Sequence, residues 1–84
     1  MIEEFVQGEA VIFLESYDLF DKDMEGKEAM FYKHTFDGKC LVLDVDSGEW
    51  AEPLCSTLKR KKPGQVPRKY ANICKTIKEM VITY

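Results

Sequence analysis

Two aromatic and β-branched runs, residues 30–36 (MFYKHTF) and 39–45 (KCLVLDV), flank the dipeptide Asp37-Gly38. A two-residue loop in which both positions adopt positive φ is the mark of a type I′ hairpin, so antiparallel pairing constrains everything placed around it. With Asp37 and Gly38 as the loop, Phe36 pairs with Lys39, His34 with Leu41, Tyr32 with Leu43 and Met30 with Val45. Strand alternation puts these pairs on one face, which is expected to be the core. The other face, Phe31, Lys33 and Thr35 opposite Val42 and Cys40, is expected to be half solvated.

A second turn is expected at Asp46-Ser47-Gly48-Glu49, after which residues 50–58 return as a third strand. Two registers fit. A two-residue loop sets Val45 against Trp50, whereas a three-residue bulged loop sends Ala51, Pro53 and Cys55 inward. Pro53 cannot donate to a ladder, so this strand is expected at an edge or broken there. Upstream, residues 9–15 (EAVIFLE) form a short apolar run that reads as a strand buried on both faces and paired with the hairpin.

Beyond residue 66 the apolar period changes from two to 3.6. Tyr70, Ile73, Cys74, Ile77, Met80, Val81 and Tyr84 form one stripe, and Pro67 sits where the first turn of a helix accepts proline. Residues 80–84 have high β propensity, which leaves helix and added strand both open for the tail. With 45% hydrophobic and 12% aromatic residues the chain is too apolar to be disordered, and 84 residues support one thin core. The expectation is a single α+β domain over residues 1–84. It comprises a small antiparallel β-meander of three to five strands, packed by one C-terminal amphipathic helix across its open side. Such a curled sheet resembles SH3-like half barrels in its topology.

Charge is divided along the chain. Residues 1–56 carry 14 Asp and Glu against 4 Lys, a net −10, while residues 57–84 carry 8 Lys and Arg against 1 Glu, a net +7. Asymmetry of this size speaks of partners rather than of fold. The acidic connection 16–28 holds aromatic residues among carboxylates. Glu15, Tyr17, Asp18, Phe20, Asp21, Asp23 and Glu25, with Trp50 after the second turn, are therefore the candidate protein-binding residues. They point to a non-enzymatic adaptor or inhibitor that offers an acidic surface to a larger protein with a basic surface, including one that itself binds nucleic acid. The alternative is a small nucleic-acid-binding protein that contacts phosphates through Lys59, Arg60, Lys61, Lys62, Arg68 and Lys69.

Residues for catalysis or metal binding are sparse. Cys40, Cys55 and Cys74 are spaced without a CxxC pair and read as reduced thiols, and a zinc site would require all three to converge on His34, the single histidine. Residues 21–26 (DKDMEG) begin like a calcium loop, but Tyr32 stands where the bidentate glutamate belongs. A Cys-His nucleophile needs Cys40 or Cys55 beside His34, and the simple hairpin register sends Cys40 to the opposite face. No catalytic residue, metal or cofactor is assigned. The N-terminus lacks a signal-peptide pattern and no apolar run reaches the ~18 residues of a membrane span. The expected location is the cytoplasm, away from membranes.

Overall fold

The Asp37-Gly38 turn forms as its residues dictate. In the computed structural model, which describes residues 5–62 and 65–82, both positions have positive φ, 61° and 74°, and Lys39 N donates to Phe36 O at 3.3 Å. The chain runs β1 (Ala10–Phe13), β2 (Asp18–Leu19), β3 (Lys22–Asp23), β4 (Glu28–His34), β5 (Cys40–Asp44) and β6 (Glu49–Ala51). A 3-10 turn (Cys55–Thr57), β7 (Leu58–Arg60) and α1 (Arg68–Ile82) complete it. β6, β5, β4, β1 and β7 form an antiparallel five-stranded sheet in that order, and β2 and β3 form a separate small hairpin, the arm, between β1 and β4. The molecule is an α+β protein. No helix among the described residues is long and apolar enough to cross a membrane.

The hairpin register departs from the simple expectation at two places. Thr35 N donates to Lys39 O at 3.0 Å, so Thr35 and Phe36 together oppose Lys39; a second irregularity falls between Phe31 and Lys33. The observed pairs are His34 with Cys40, Lys33 with Leu41, Phe31 with Val42 and Met30 with Leu43. Each inserted residue slips the pairing by one, and a slip of one exchanges the two faces. The first slip leaves Phe36, expected in the core, 78% exposed. The second restores the alternation, so Met30 and Leu43 are buried on the expected face, while Phe31, Val42 and Cys40, expected at a half-solvated face, are buried on the other because that face is covered too.

Both faces of the sheet are covered. On one face Val11, Phe13, Ala29, Phe31, Cys40 and Val42 pack with Phe5, with Leu19 and Met24 from the arm, and with Cys55 and Leu58. On the other, Ala10, Met30 and Leu43 pack against Tyr70 and Cys74 of α1. The C-terminal helix thus packs on the sheet as expected, on the face opposite the larger core. Ile73 and Ile77 fill the edge of that contact. Gly8 is required for the approach of the N-terminal segment: its φ is +89°, and a Cβ there would meet Val66 Cγ1 at 2.8 Å.

The return from β5 takes neither expected loop but a four-residue one over residues 45–48, with Gly48 N donating to Asp44 O at 2.7 Å. Asp44 pairs with Glu49, Leu43 with Trp50 and Val42 with Ala51, which still turns Ala51, Pro53 and Cys55 inward, where they are buried. The strand expected over residues 50–58 is broken at Pro53. The chain then crosses through the 3-10 turn and adds β7 to the far side of β1. α1 starts directly after Pro67 and continues to Ile82, so residues 80–82 are helical; the remainder of the tail lies outside the described residues.

Candidate protein-binding site

The arm is fastened at its base and bare at its tip. Leu19 and Met24 are buried in the larger core, and the Tyr17 ring lies 5.5 Å from that of Phe13. Asp23 Oδ1 accepts from Ser16 Oγ at 3.1 Å, from Tyr17 N at 3.2 Å and from Glu25 N at 3.1 Å, which closes the base on itself. Tyr17 Oη accepts from Glu52 N at 3.1 Å and joins the arm to the segment after β6. Lys22 turns inward and reaches Asp44 Oδ2 at 2.8 Å; that carboxylate is buried at the β5–β6 turn and also accepts from Ser47 Oγ at 2.9 Å.

The tip is the two-residue turn Phe20-Asp21, both in the left-handed region with φ of 48° and 68°. A large side chain is rarely tolerated there, and the cost is of order 1–2 kcal/mol. Phe20 is nonetheless 75% exposed, so core packing does not explain its presence. Asp18 and Asp21 are exposed on the same hairpin, Glu25 is exposed at the arm's base beside Phe13, and Glu15 is exposed at the arm's start. Asp23, by contrast, serves the turn, and Tyr17 is half-buried, so these two candidates hold the arm rather than present it. Trp50 does not join this group. It pairs with Leu43, meets Tyr32 edge-on at 5.5 Å and lines a groove with Ile73 and Ile77 on the helix side of the sheet.

A shallow groove beside the arm's base is lined by Glu15, Tyr17, Lys39, Pro53, Leu54 and Thr57. Leu54 and Leu14, both about half exposed, were not among the sequence candidates. Leu54 had a signal: in the bulged register that buries Ala51, Pro53 and Cys55 it points outward, as an apolar residue at a solvent position.

The basic candidates divide. Arg60 Nε lies 3.1 Å from the buried Glu9 Oε1 with its guanidinium over the Phe5 ring at 5.8 Å, and Lys61 Nζ is 2.6 Å from Glu28 Oε1. Glu28 also accepts from Tyr70 Oη, so one carboxylate ties β4, the end of β7 and α1 together. Lys59, Lys62, Arg68 and Lys69 are exposed, and Lys69 Nζ sits 4.9 Å from the Tyr70 ring centre. The acidic and basic halves are therefore partly neutralised against each other.

Three of these carboxylates are held below their ordinary range. Burial alone would push Asp44 up, but the Lys22 and Ser47 hydrogen bonds outweigh it. Asp23 is lowered chiefly by the Glu25 backbone N–H, and Glu28 by Lys61 and then by the Tyr70 hydroxyl. Since each binds its proton more weakly when folded, the unfolded chain takes up more protons in acid. The stability they confer is present above the ordinary values of 3.8 for Asp and 4.5 for Glu, and is lost as pH falls through the depressed folded values. Thermal unfolding followed by circular dichroism should give a midpoint that declines progressively once pH drops below about 4.5.

Cys74 Sγ contacts Met30 Sδ at 3.6 Å under the helix, on the face opposite Cys40 and Cys55, so the three cysteines do not converge. Cys55 Sγ does lie 3.4 Å from His34 Nδ1. The expected separation of His34 from Cys40 is corrected too, because the bulge at residues 35 and 36 makes them direct cross-strand partners. No protein-family model, curated protein or solved structure matches the chain.

Proposed function

We propose that this chain is a non-enzymatic protein-binding module, an adaptor or inhibitor, whose contact surface is the tip of the arm. Phe20 is the anchor, and Asp18 and Asp21, with Glu25 at the arm's base, form an acidic rim suited to a larger partner with a basic surface. The observation that carries this is a phenylalanine three-quarters exposed at a positive-φ turn position, on an arm whose base is buried and hydrogen-bonded. Interfaces concentrate their energy in a few aromatic anchors, and surrounding charge steers the encounter and selects the partner. Three free cysteines suit a reducing compartment such as the cytoplasm. We read the sheet as an SH3-like half barrel, supported by the strand order and by the return of β7 to β1 after a 3-10 turn. That likeness concerns fold and assigns no partner.

Phe20→Gly separates binding from folding, because glycine adopts the turn conformation without strain. The variant should melt at or slightly above the wild-type temperature, with a gain of up to about 1 kcal/mol, yet lose at least about tenfold in affinity for a protein captured stoichiometrically from the source cell. Equal capture by wild type and variant, or no stoichiometric partner at moderate salt, would overturn the proposal. Phosphate binding ranks second, since Glu9 and Glu28 engage two of its six cations. Nucleic-acid binding by the wild type at low salt, abolished by Lys59→Glu with Lys62→Glu, would put it first.

A further inference from the structure

Three reactive side chains meet at the rim of the larger core. His34 is the cross-strand partner of Cys40, so the two share a face. Residues 38–40 also pair antiparallel with residues 53–55: Cys55 N donates to Gly38 O at 2.8 Å, Cys40 N donates to Pro53 O at 3.0 Å, and Lys39 faces Leu54 between them. In that ladder Cys40 and Cys55 are diagonal neighbours on one face. On that face Cys55 Sγ lies 3.4 Å from His34 Nδ1. Phe5 stacks over His34, with ring centres 6.3 Å apart and planes 17° from parallel, and Phe31 lies against it at 4.8 Å. The imidazole is thereby held in place while its outer edge stays in water.

We propose that Cys55 is an oxidisable thiol with His34 as its proton acceptor, and that Cys40 resolves the oxidised form into a Cys40–Cys55 disulfide. The site is a modification site, independent of the arm's binding role. Access decides the order of events. Cys55 is 7% exposed and Cys40 fully buried, so a small hydroperoxide reaches Cys55 first. Burial, and then the neighbouring Cys55, push the Cys40 thiol up, which keeps it protonated and inert toward the oxidant.

In the first step Cys55 gives its proton to His34 and its sulfur attacks a peroxide oxygen. The S–O bond forms and the O–O bond breaks, and the departing oxygen takes the proton from His34 and leaves as water or an alcohol. In the second step Cys40 sulfur attacks Cys55 sulfur: the S–S bond forms, the S–O bond breaks, and the hydroxyl leaves as water with the Cys40 proton. Two thiols are oxidised and one hydroperoxide is reduced, and a small external thiol reverses the change by two exchanges. Diagonal neighbours lie about 7–8 Å apart at Cα, just beyond the usual limit of about 6.8 Å for a disulfide. Closure therefore requires residues 53–55, held to the hairpin by one isolated bridge ahead of the 3-10 turn, to shift toward Cys40.

The test treats the full-length protein with hydrogen peroxide, alkylates remaining thiols and maps peptides without reduction. The expected product is an intramolecular Cys40–Cys55 disulfide with Cys74 still alkylated. Cys40→Ala should stop at a Cys55 sulfenic acid trapped by dimedone, Cys55→Ala should form no disulfide, and His34→Gln should slow oxidation at least about tenfold. Circular dichroism checks that each variant is folded, and the wild-type map decides the matter even if one is not. Oxidation spread over all three cysteines, a Cys74 product, a disulfide between chains, or a Cys55 rate no greater than that of free glutathione would overturn the proposal.

Discussion

Replacing Arg60 with methionine should destabilise the protein by about 3–5 kcal/mol, because it leaves a charge buried without its partner. Glu9 is 1% exposed; Oε1 accepts from Val6 N at 3.0 Å and from Arg60 Nε at 3.1 Å, and Oε2 has no hydrogen-bond partner among the described residues. For a domain of this length the whole stability is of order 4–13 kcal/mol, so the loss is a large share of it. The double variant Glu9→Leu with Arg60→Met should recover most of the loss, since apolar groups of similar volume replace buried ion pairs at little cost. Urea unfolding of the four proteins closes the cycle. A single-variant effect below about 1 kcal/mol would mean that Glu9 is hydrated in solution and that Arg60 is available for other contacts.

Phe31→Ala should cost about 3–5 kcal/mol, as expected for removing a buried aromatic ring from a close-packed core. Phe31 lies on the central strand β4, is buried, and forms a three-ring cluster with Phe5, 5.4 Å away, and His34, 4.8 Å away. The informative comparison is Phe36→Ala, which the unbulged register makes a core substitution. With Phe36 78% exposed beyond the bulge, the change should stay within about 0.5 kcal/mol. Comparable losses at the two positions would show that the hairpin pairs in the simpler register. Chemical denaturation with unchanged m values separates these outcomes.

The contrast between these two phenylalanines shows how far the residues can be read without coordinates. The Asp37-Gly38 turn, the strand at residues 10–13, the break at Pro53 and the helix after Pro67 follow from backbone preferences that act over a few residues. The bulges carry no such mark, since neither Thr35-Phe36 nor Tyr32 contains the glycine that often signals one. The acidic arm with Phe20 was legible as aromatic residues among carboxylates. That Tyr17 and Asp23 hold the arm while Phe20 and Asp21 present it depends on contacts with Phe13, Glu52 and Ser16 that composition does not encode. Trp50 was grouped with the arm by its type and separated from it by the sheet.

The chain by itself determined its local conformations and the division of its charge, because turn dihedrals, helix periodicity and proline's missing donor are properties of neighbouring residues. Tertiary structure alone decided that both faces of the sheet are covered, which cations were engaged by carboxylates and which thiol met the histidine. Those outcomes depend on register, where one inserted residue exchanges the faces of a strand, and on partners such as Arg60 with Glu9 and Lys61 with Glu28 that are brought together only when the sheet closes.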